Sequence, residues 1–560
     1  MKVNVDFIHP PSIYDFRKRD IDPGPISDVI PSTPVFEMYP VGFVSMLNYL
    51  VKNGYNARIS NVAVMMLHSD RFDPVQYLQD IDADIYGIDL HWLPHTHGAI
   101  NLAKIVKELH PNSYVVMGGY SSTYYRNEII KNYNFVDFVM SGDFQEYGIM
   151  KLAEVVEGSK KFETVPGLVY RDNGTIKENP RFDFKKGLDN VFFNYKILLK
   201  NAIKYHDIRG HLPYADWINN PEGFTMIERG CQYNCGFCGG SNFSYKNNFM
   251  LDYSFRDPCK VVSEIKIAEE MLGSPVFMTG DLNMAGPLYY EKFFECVKEN
   301  GIDIPLLTEY FKPLNEDYAR KLGRAFPDFS AEISPETQDE RIRSWNKAEY
   351  RNSDMEKSIE YIKKYGGKKF DVYFSIGISH QTKEEVMKSV EYAGRLMKKF
   401  DGGGMKLSTF ISPIVPFVDP GSLWYEKSKS YGINVYARSI GEIYDILDKG
   451  RTWYDFLDYD TGWMKKEDIV NATYDADIRM LQLRHEINDI SKELMDSMIN
   501  NIMEYRNGGN YSKNRSMDKH LAYLNKDIEW SRKHRLTFPS FLIYLYKNYN
   551  SALSKIEKEQ

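Results

Sequence analysis

The sequence predicts an α/β protein: an N-terminal doubly wound parallel sheet, a partial (β/α)6 barrel, and a mostly helical C-terminal region. Three observations predict it. Short apolar runs alternate with helix-spaced stretches through residues 1–156. The same alternation resumes over 216–425, after a connector at 157–215 in which it lapses. From 426 to 560 the strand runs stop and helical spacing dominates.

In the first series VNVDFI (3–8), ARIS (57–60), DIYGIDL (84–90), YVVMGG (114–119) and FVDFVMSGD (135–143) read as strands. Helical patterns at 41–52, 98–109, 124–132 and up to about 156 separate and follow them. Ligands of such sheets bind beyond the carboxyl ends of the strands. The stretch from 10 to 40 breaks the rhythm with seven prolines, two of them flanking Gly24. A long ordered loop in a compact domain is usually functional, and this one is expected to wrap a ligand at the sheet edge. In the connector, GLVYRDNGTIKENP (167–180) reads as a hairpin turning at Asp172, Asn173 and Gly174. The second series offers six strands: GFTMIE (223–228), PVFMTG (275–280), IPLLTE (304–309), FSAEIS (329–334), FDVYFSIG (370–377) and MKLSTFIS (405–412). Their C-terminal ends are the expected site.

The 560 residues carry 70 Lys and Arg against 77 Asp and Glu, a net charge of −7, which argues against a general nucleic-acid partner. The one basic cluster, Arg532, Lys533, His534 and Arg535 beside FPSFLIYLY (538–546), reads as a solvated surface, in a region that packs on the barrel as a substrate lid or lies on lipid. No apolar run approaches the roughly 18 residues that span a bilayer. MKVNVDFIHPP reads as a strand rather than an export signal, so a cytoplasmic protein is expected. Five cysteines, three of them within eight positions, point to metal or redox chemistry rather than a disulfide framework.

Those three are Cys231, Cys235 and Cys238, in TMIERGCQYNCGFCGGS directly after a strand. Three thiolates on one short loop can hold three irons of a 4Fe–4S cubane and leave the fourth open to a small molecule. Gly230, Gly236, Gly239 and Gly240 let the backbone curl around such a cluster. A structural zinc site is the competing reading, but it requires a fourth ligand and usually a second C-x2-C pair. No such pair is present, and Cys259 and Cys296 fall in helical patterns as expected core residues.

The C-x3-C-x2-C spacing, with Phe237 before the third cysteine, resembles the radical S-adenosylmethionine superfamily over roughly 220–425. The resemblance implies a 4Fe–4S cluster on Cys231, Cys235 and Cys238, with S-adenosylmethionine on its open iron. It implies Phe237 beside the adenine, Gly280 and Asp281 at the methionine amino group, Glu332 and Ser334 near the ribose, and Gly377 as a fifth-strand contact. Thr279 and Asp281 depart from the family's usual Gly-Gly-Glu.

An α/β domain ahead of such a barrel, over about 1–190, resembles the cobalamin-binding domain of the cobalamin-dependent radical subfamily. Gly118 and Gly119 match the paired glycines beside the cofactor's nucleotide tail. YPVGF (39–43) resembles the helix start after the first strand, and Gly142 and Asp143 resemble the loop after the fifth. The first strand lacks the D-x-H-x-x-G of the wider cobalamin pattern. Asp89, His91, His95 and His97 lie on a loop expected to face the cofactor. The resemblance implies a radical enzyme methylating an unactivated carbon of a small-molecule or lipid substrate, fed by a flavodoxin- or ferredoxin-type one-electron donor. Cobalamin-dependent ring or carbon–carbon bond formation is the alternative, and a non-catalytic cobalamin or cluster sensor a third reading.

Overall fold

The computed structural model describes residues 2–21, 30–33, 37–143, 145–158, 161–181, 188, 191–215, 217, 221–347 and 349–506. The basic cluster at 532–535 and the apolar run at 538–546 lie outside them.

The N-terminal sheet has strands β1 (Asn4–His9), β2 (Asn56–Asn61), β3 (Ile85–Asp89), β4 (Tyr114–Gly118) and β5 (Phe138–Met140), parallel and in the order β2-β1-β3-β4-β5. Every residue of β3 is buried, as expected for a central parallel strand covered on both faces. This order reverses between β1 and β3, where a doubly wound sheet opens its ligand crevice. His9 and Asp89 end those two strands.

The connector hairpin is formed by β6 (Leu168–Asp172) and β7 (Thr175–Glu178), turning at Asn173 and Gly174, both at positive φ. It does not stand apart from the sheet. β6 pairs antiparallel with β5, so the hairpin extends the first sheet to seven strands.

The second sheet is wholly parallel and runs β15-β14-β13-β12-β11-β8. Its strands are β8 (Gly223–Met226), β11 (Val276–Thr279), β12 (Leu306–Tyr310), β13 (Phe329–Glu336), β14 (Lys369–Ile376) and β15 (Lys406–Pro413). Two short strands, β9 (Glu228–Arg229) and β10 (Ser254–Phe255), form a ribbon beside it. Consecutive order with helical crossovers is the arrangement of a partial (β/α)6 barrel.

The helix Pro258–Leu272 shows how polar groups are fixed inside. Asp257 caps it by accepting the amides of Cys259 and Lys260, and Pro258 opens the first turn. Within it Glu264 is buried and accepts from both amino nitrogens of Arg256, from Thr225 Oγ1 (2.7 Å) and from the Phe193 amide (3.1 Å). Glu264→Ala leaves Arg256 a buried, uncompensated cation and is expected to cost about 3–5 kcal/mol. A fall in the urea midpoint, partly recovered in Glu264→Gln, checks this. Cys259 on this helix is joined to Cys296 on Pro287–Asn300 as a disulfide, where separate core thiols were expected.

Beyond β15 a small antiparallel pair, β16 (Ile433–Val435) and β17 (Tyr459–Thr461), precedes the helices Lys466–Glu486 and Lys492–Arg506. The first of these helices packs on Lys383–Phe400, where Gly394 leaves room for Leu483. The helix Ile440–Lys449 instead joins the core on one face of the N-terminal sheet, through Ile440, Ile443 and Leu447. The other face of that sheet and the barrel share one continuous hydrophobic core. Among the described residues no helix is long and apolar enough to cross a membrane.

Candidate active site between the barrel mouth and the N-terminal sheet

The cysteine loop runs from β9 to the helix Asn242–Phe249. Its backbone is pinned from outside: Gly236 donates to Asn346 O (2.7 Å) and accepts from the Trp424 amide (2.8 Å), and Gly239 donates to Asp419 Oδ2 (2.8 Å). A side chain on Gly236 would strike the Trp424 indole at 2.8 Å. Cys231, Cys235 and Cys238 are free thiols, partly accessible. Burial first, then mutual repulsion among the three, pushes each up to about 12. Lys347 opposes the rise at all three. It is 8% exposed, donates to Ser334 O (2.7 Å) and Glu336 Oε1 (3.0 Å), and lies beside Cys235. Three crowded thiols beside one buried cation suit a bound metal group that takes their protons' place. Phe237 packs edge-on against Trp424 at 5.7 Å.

The barrel interior is acidic. Glu309, Glu332 and Asp371 stand side by side in register on β12, β13 and β14. Glu332 lies mid-strand rather than at the end of β13, which continues through Ser334 to Glu336. Burial, and then Glu309, raises the Glu332 carboxyl to about 8. Gly280 follows β11 at φ 99° and donates to Glu309 Oε1 (2.7 Å). The neighbouring carboxylate expected to face a ligand, Asp281, is fully buried and turned to the backbone. It accepts the amides of Asn283 (3.0 Å), Met284 (3.2 Å) and Phe311 (2.9 Å). The carboxylate left over is Glu228, which the sequence reading did not single out. Its Oε1 lies 3.1 Å from where a Gly280 Cβ would sit, and its charge is felt at Cys231. The Asp281 amide favours its charge, yet neither oxygen completes a hydrogen bond among the described residues. Burial, with Asp281, raises Glu228 to about 8. A buried carboxylate with no side-chain partner fits a cationic ligand. Gly377 donates to Gln381 Oε1 (2.9 Å) and lies against Tyr459, so it is buried beneath the C-terminal region.

On the opposite wall are the strand ends of the N-terminal sheet. His9 Nδ1 meets Asp89 Oδ2 (3.0 Å), and Asp89 Oδ1 accepts the His91 amide (2.9 Å). His9 Nε2 and His95 Nε2 each lie 2.8 Å from Glu37 Oε1. Burial and these contacts turn His95 away from the exposed face. His97 starts the helix Thr96–Leu109 and is also turned away, accepting the Tyr14 amide (3.0 Å) and stacking on Tyr444 at 4.7 Å. Of the three loop histidines only His91 is exposed, beside Tyr120 and exposed Trp92. Gly118 faces open space. Gly119 sits at φ 108°, and a Cβ there would lie 2.8 Å from the His91 backbone. Gly119→Ala is therefore expected to cost about 2–4 kcal/mol through backbone strain and overpacking, read as a lowered unfolding temperature, with Gly118→Ala near wild type.

The two walls are bolted together. Arg229, which leads into the cysteine loop, donates to Asp143 Oδ1 (2.9 Å) and Glu146 Oε1 (2.8 Å). Tyr245 donates to Asp143 Oδ2 (2.5 Å). Asp143 thus serves the domain interface, while Gly142 at φ 108° packs on Arg181. Tyr120, just past β4, donates to Pro420 O (2.7 Å), meets Ser244, and lies 3.0 Å from a Cβ position on Gly239. Residues from the strand ends of the first sheet therefore touch the loop that carries the three cysteines.

Comparison with known proteins agrees with this geometry. Residues 226–393 match the radical SAM superfamily and residues 28–147 match the B12 binding domain. The chain carries a radical SAM superfamily domain together with a B12-binding domain. A radical SAM domain works with a 4Fe–4S cluster and S-adenosylmethionine, and a B12-binding domain with cobalamin. Among curated relatives, the hopanoid C-3 methylase of Methylococcus capsulatus is 26% identical over 278 residues, 48% of either chain. An uncharacterised methyltransferase of Pyrococcus horikoshii is 27% identical over 170 residues, 30% of this chain and 34% of its own. The chain thus spans about a third to a half of the length of these relatives. In fold it is similar to the radical S-adenosylmethionine methyltransferase TsrM from Kitasatospora setae with cobalamin and a [4Fe-4S] cluster bound. That likeness has a TM-score of 0.56 at 12% identity, covering 78% of this chain and 81% of that one. The cobalamin-dependent S-adenosylmethionine radical enzyme OxsB covers 98% of this chain and 83% of its own, with a TM-score of 0.54 at 12% identity.

Proposed function

We propose that this protein is a cobalamin-dependent radical S-adenosylmethionine methyltransferase acting on an unactivated carbon of a small molecule or lipid. The observation that carries the proposal is the meeting of Tyr120, at the strand ends of the B12-binding sheet, with the cysteine loop of the barrel. One side of this contact offers thiols and the other a cobalamin-type strand edge. When bound, the cluster supplies a low-potential electron to S-adenosylmethionine, and cobalamin carries a methyl group.

In this reading Cys231, Cys235 and Cys238 hold three irons, and Lys347 offsets the negative charge of the thiolates from beside Cys235. Glu228 and Glu309, flanking Gly280, receive the ammonium of S-adenosylmethionine, a role first expected of Asp281. Asp281 instead shapes the loop that follows Gly280. Glu332 and Ser334 lie along β13 within reach of the barrel interior as ribose contacts, and Phe237 forms an apolar wall for the adenine. His91, Gly118 and Gly119 would form part of the surface that receives cobalamin, the paired glycines at its nucleotide tail, backed by Asp89. The division into residues 1–156, 157–215, 216–425 and 426–560 is retained, with the hairpin of the connector serving the first sheet. A flavodoxin- or ferredoxin-type protein supplies the electrons.

The experiment is anaerobic. Full-length protein is reconstituted with iron, sulfide and cobalamin, and S-adenosylmethionine and a strong reductant are added. Both 5′-deoxyadenosine and S-adenosylhomocysteine are expected to form. Deoxyadenosine without the homocysteine product points instead to radical ring or carbon–carbon bond formation. Neither product, with cluster and cobalamin both bound, contradicts the proposal and favours a sensor.

A further inference from the structure

Beneath the surface assigned to the corrin, at the β1/β3 switch point, lies a group of side chains that the proposed reaction does not use. His9 ends β1, His95 closes the short turn Leu93–His95, and Glu37 arrives from the proline-rich loop. Their exposures are 1%, 3% and 0%. Both histidine Nε2 atoms point at the same oxygen, Glu37 Oε1, at 2.8 Å, and the three ligand atoms all lie within 4.8 Å of one another. The rings are tilted by 58°, with centroids 4.9 Å apart.

Two further observations indicate that a ligand is expected here. Glu37 Oε2 and His95 Nδ1 are buried with no hydrogen-bond partner among the described residues. Buried polar atoms are nearly always satisfied, so Oε2, the free oxygen of a carboxylate whose other oxygen meets two imidazoles, is an unfilled valence. The charge count agrees. Asp89, 3% exposed, adds a second buried carboxylate through His9 Nδ1. Metal ligation takes both imidazoles in their neutral form, and the two carboxylates then carry the two negative charges that a divalent ion balances.

We infer that His9, Glu37 and His95 form a binding site for one divalent transition-metal ion of the zinc class. Two histidines and one carboxylate are a recurrent ligand set for such ions. Glu37 Oε2 supplies a fourth donor if the carboxylate binds through both oxygens. Asp89 orients His9 from behind, the usual arrangement around a metal-bound imidazole. The ion brings the buried charge to zero. It ties three segments together: the end of β1, the loop that carries Glu37, and the turn that supports exposed Trp92 and His91. The site is structural in this account, closed to solvent and separate from the cysteine cluster. It stands whether or not the protein is a methyltransferase.

The test uses full-length protein with its iron–sulfur cluster in place, so that the three cysteines are occupied. Zinc is added, unbound metal is removed by desalting, and zinc per chain is measured. About one zinc per chain is expected, with X-ray absorption showing nitrogen and oxygen ligands at about 2.0–2.1 Å and no sulfur at about 2.3 Å. His95→Ala and His9→Ala should retain none, and His485→Ala should retain the wild-type amount. Glu37→Gln keeps the size of the side chain and guards against misfolding in the histidine variants. Its circular dichroism should match wild type while zinc affinity falls by more than about a hundredfold. Asp89→Asn should lose about 10–100-fold, as second-layer partners do. Wild-type protein that retains no zinc, zinc bound through sulfur, or equal zinc in wild type and Glu37→Gln each overturn the inference and leave a purely hydrogen-bonded network.

Discussion

Cys235→Ala is expected to abolish both the cluster and the cleavage of S-adenosylmethionine. In reconstituted protein, iron should fall from about four per chain to near zero. The broad visible absorption of the cluster should vanish, and 5′-deoxyadenosine should drop to the detection limit. The reason is local. Cys235 is the thiol whose charge the buried Lys347 offsets most, and it is the middle of three mutually repelling cysteines in the motif. Two remaining cysteines cannot hold three irons. The loop itself should survive, because its anchors are backbone bonds from Gly236 to Asn346 and Trp424. Cobalamin binding should therefore persist in the variant, which separates loss of chemistry from loss of fold. A variant that still assembles a full cluster would remove Cys235 from the ligand set.

Glu228→Gln is expected to weaken S-adenosylmethionine binding by about 10–100-fold, the scale of a lost charge-assisted hydrogen bond in a desolvated site. The pH dependence gives this prediction its sign. Glu228 is raised from 4.5 to about 8 by burial and by Asp281. Without ligand, the folded protein holds the proton more tightly than the unfolded chain does. That contribution to stability is complete below about pH 4.5 and is lost as pH rises toward about 8. A bound ammonium favours the ionised carboxylate, so affinity should strengthen as pH rises from about 6 to 8. The variant should lack that part of the rise. Glu332, also at about 8, titrates over the same range, so the difference between wild type and variant is the readout. Anaerobic calorimetry on cluster-loaded protein at pH 6.5 and 8 measures it. An unchanged affinity with an unchanged pH profile would remove Glu228 from the amino-group site and leave that role to Glu309.

The fold was legible in the sequence where periodicity and punctuation agreed. Each parallel strand of the two sheets was announced by a short run containing apolar residues and ending in a glycine or polar residue, while Asn173–Gly174 announced the hairpin and its polar second strand. The sequence did not show that the hairpin would pair with β5, because pairing across a loop leaves no local signal. The cysteine motif was legible because its three ligands share one short loop. The carboxylates were harder. Asp281 was expected at the ligand because it follows Gly280, but a short acidic side chain after a strand end also captures loop amides, and here it does. Glu228 had a signal that went unread: it shares the parity of Phe224 and Met226 and stands three residues before Cys231. Lys347 had none, since its nearness to Cys235 depends on where the helix Glu340–Asn346 ends. His95 and His97 were grouped with His91 by adjacency. A helical start rotates successive side chains by about 100°, which sends the three to different neighbours.

The central claim is that the cluster loop and the strand ends of the B12-binding sheet lie against each other. Electron paramagnetic resonance tests it directly, on protein loaded with both groups and reduced so that cluster and cobalamin are each paramagnetic. The account predicts that the cobalt signal is broadened and relaxes faster than in Cys235→Ala, which binds cobalamin alone. A cobalt signal identical in the two proteins, with the cluster reduced in the wild type, would place the two groups too far apart and contradict it.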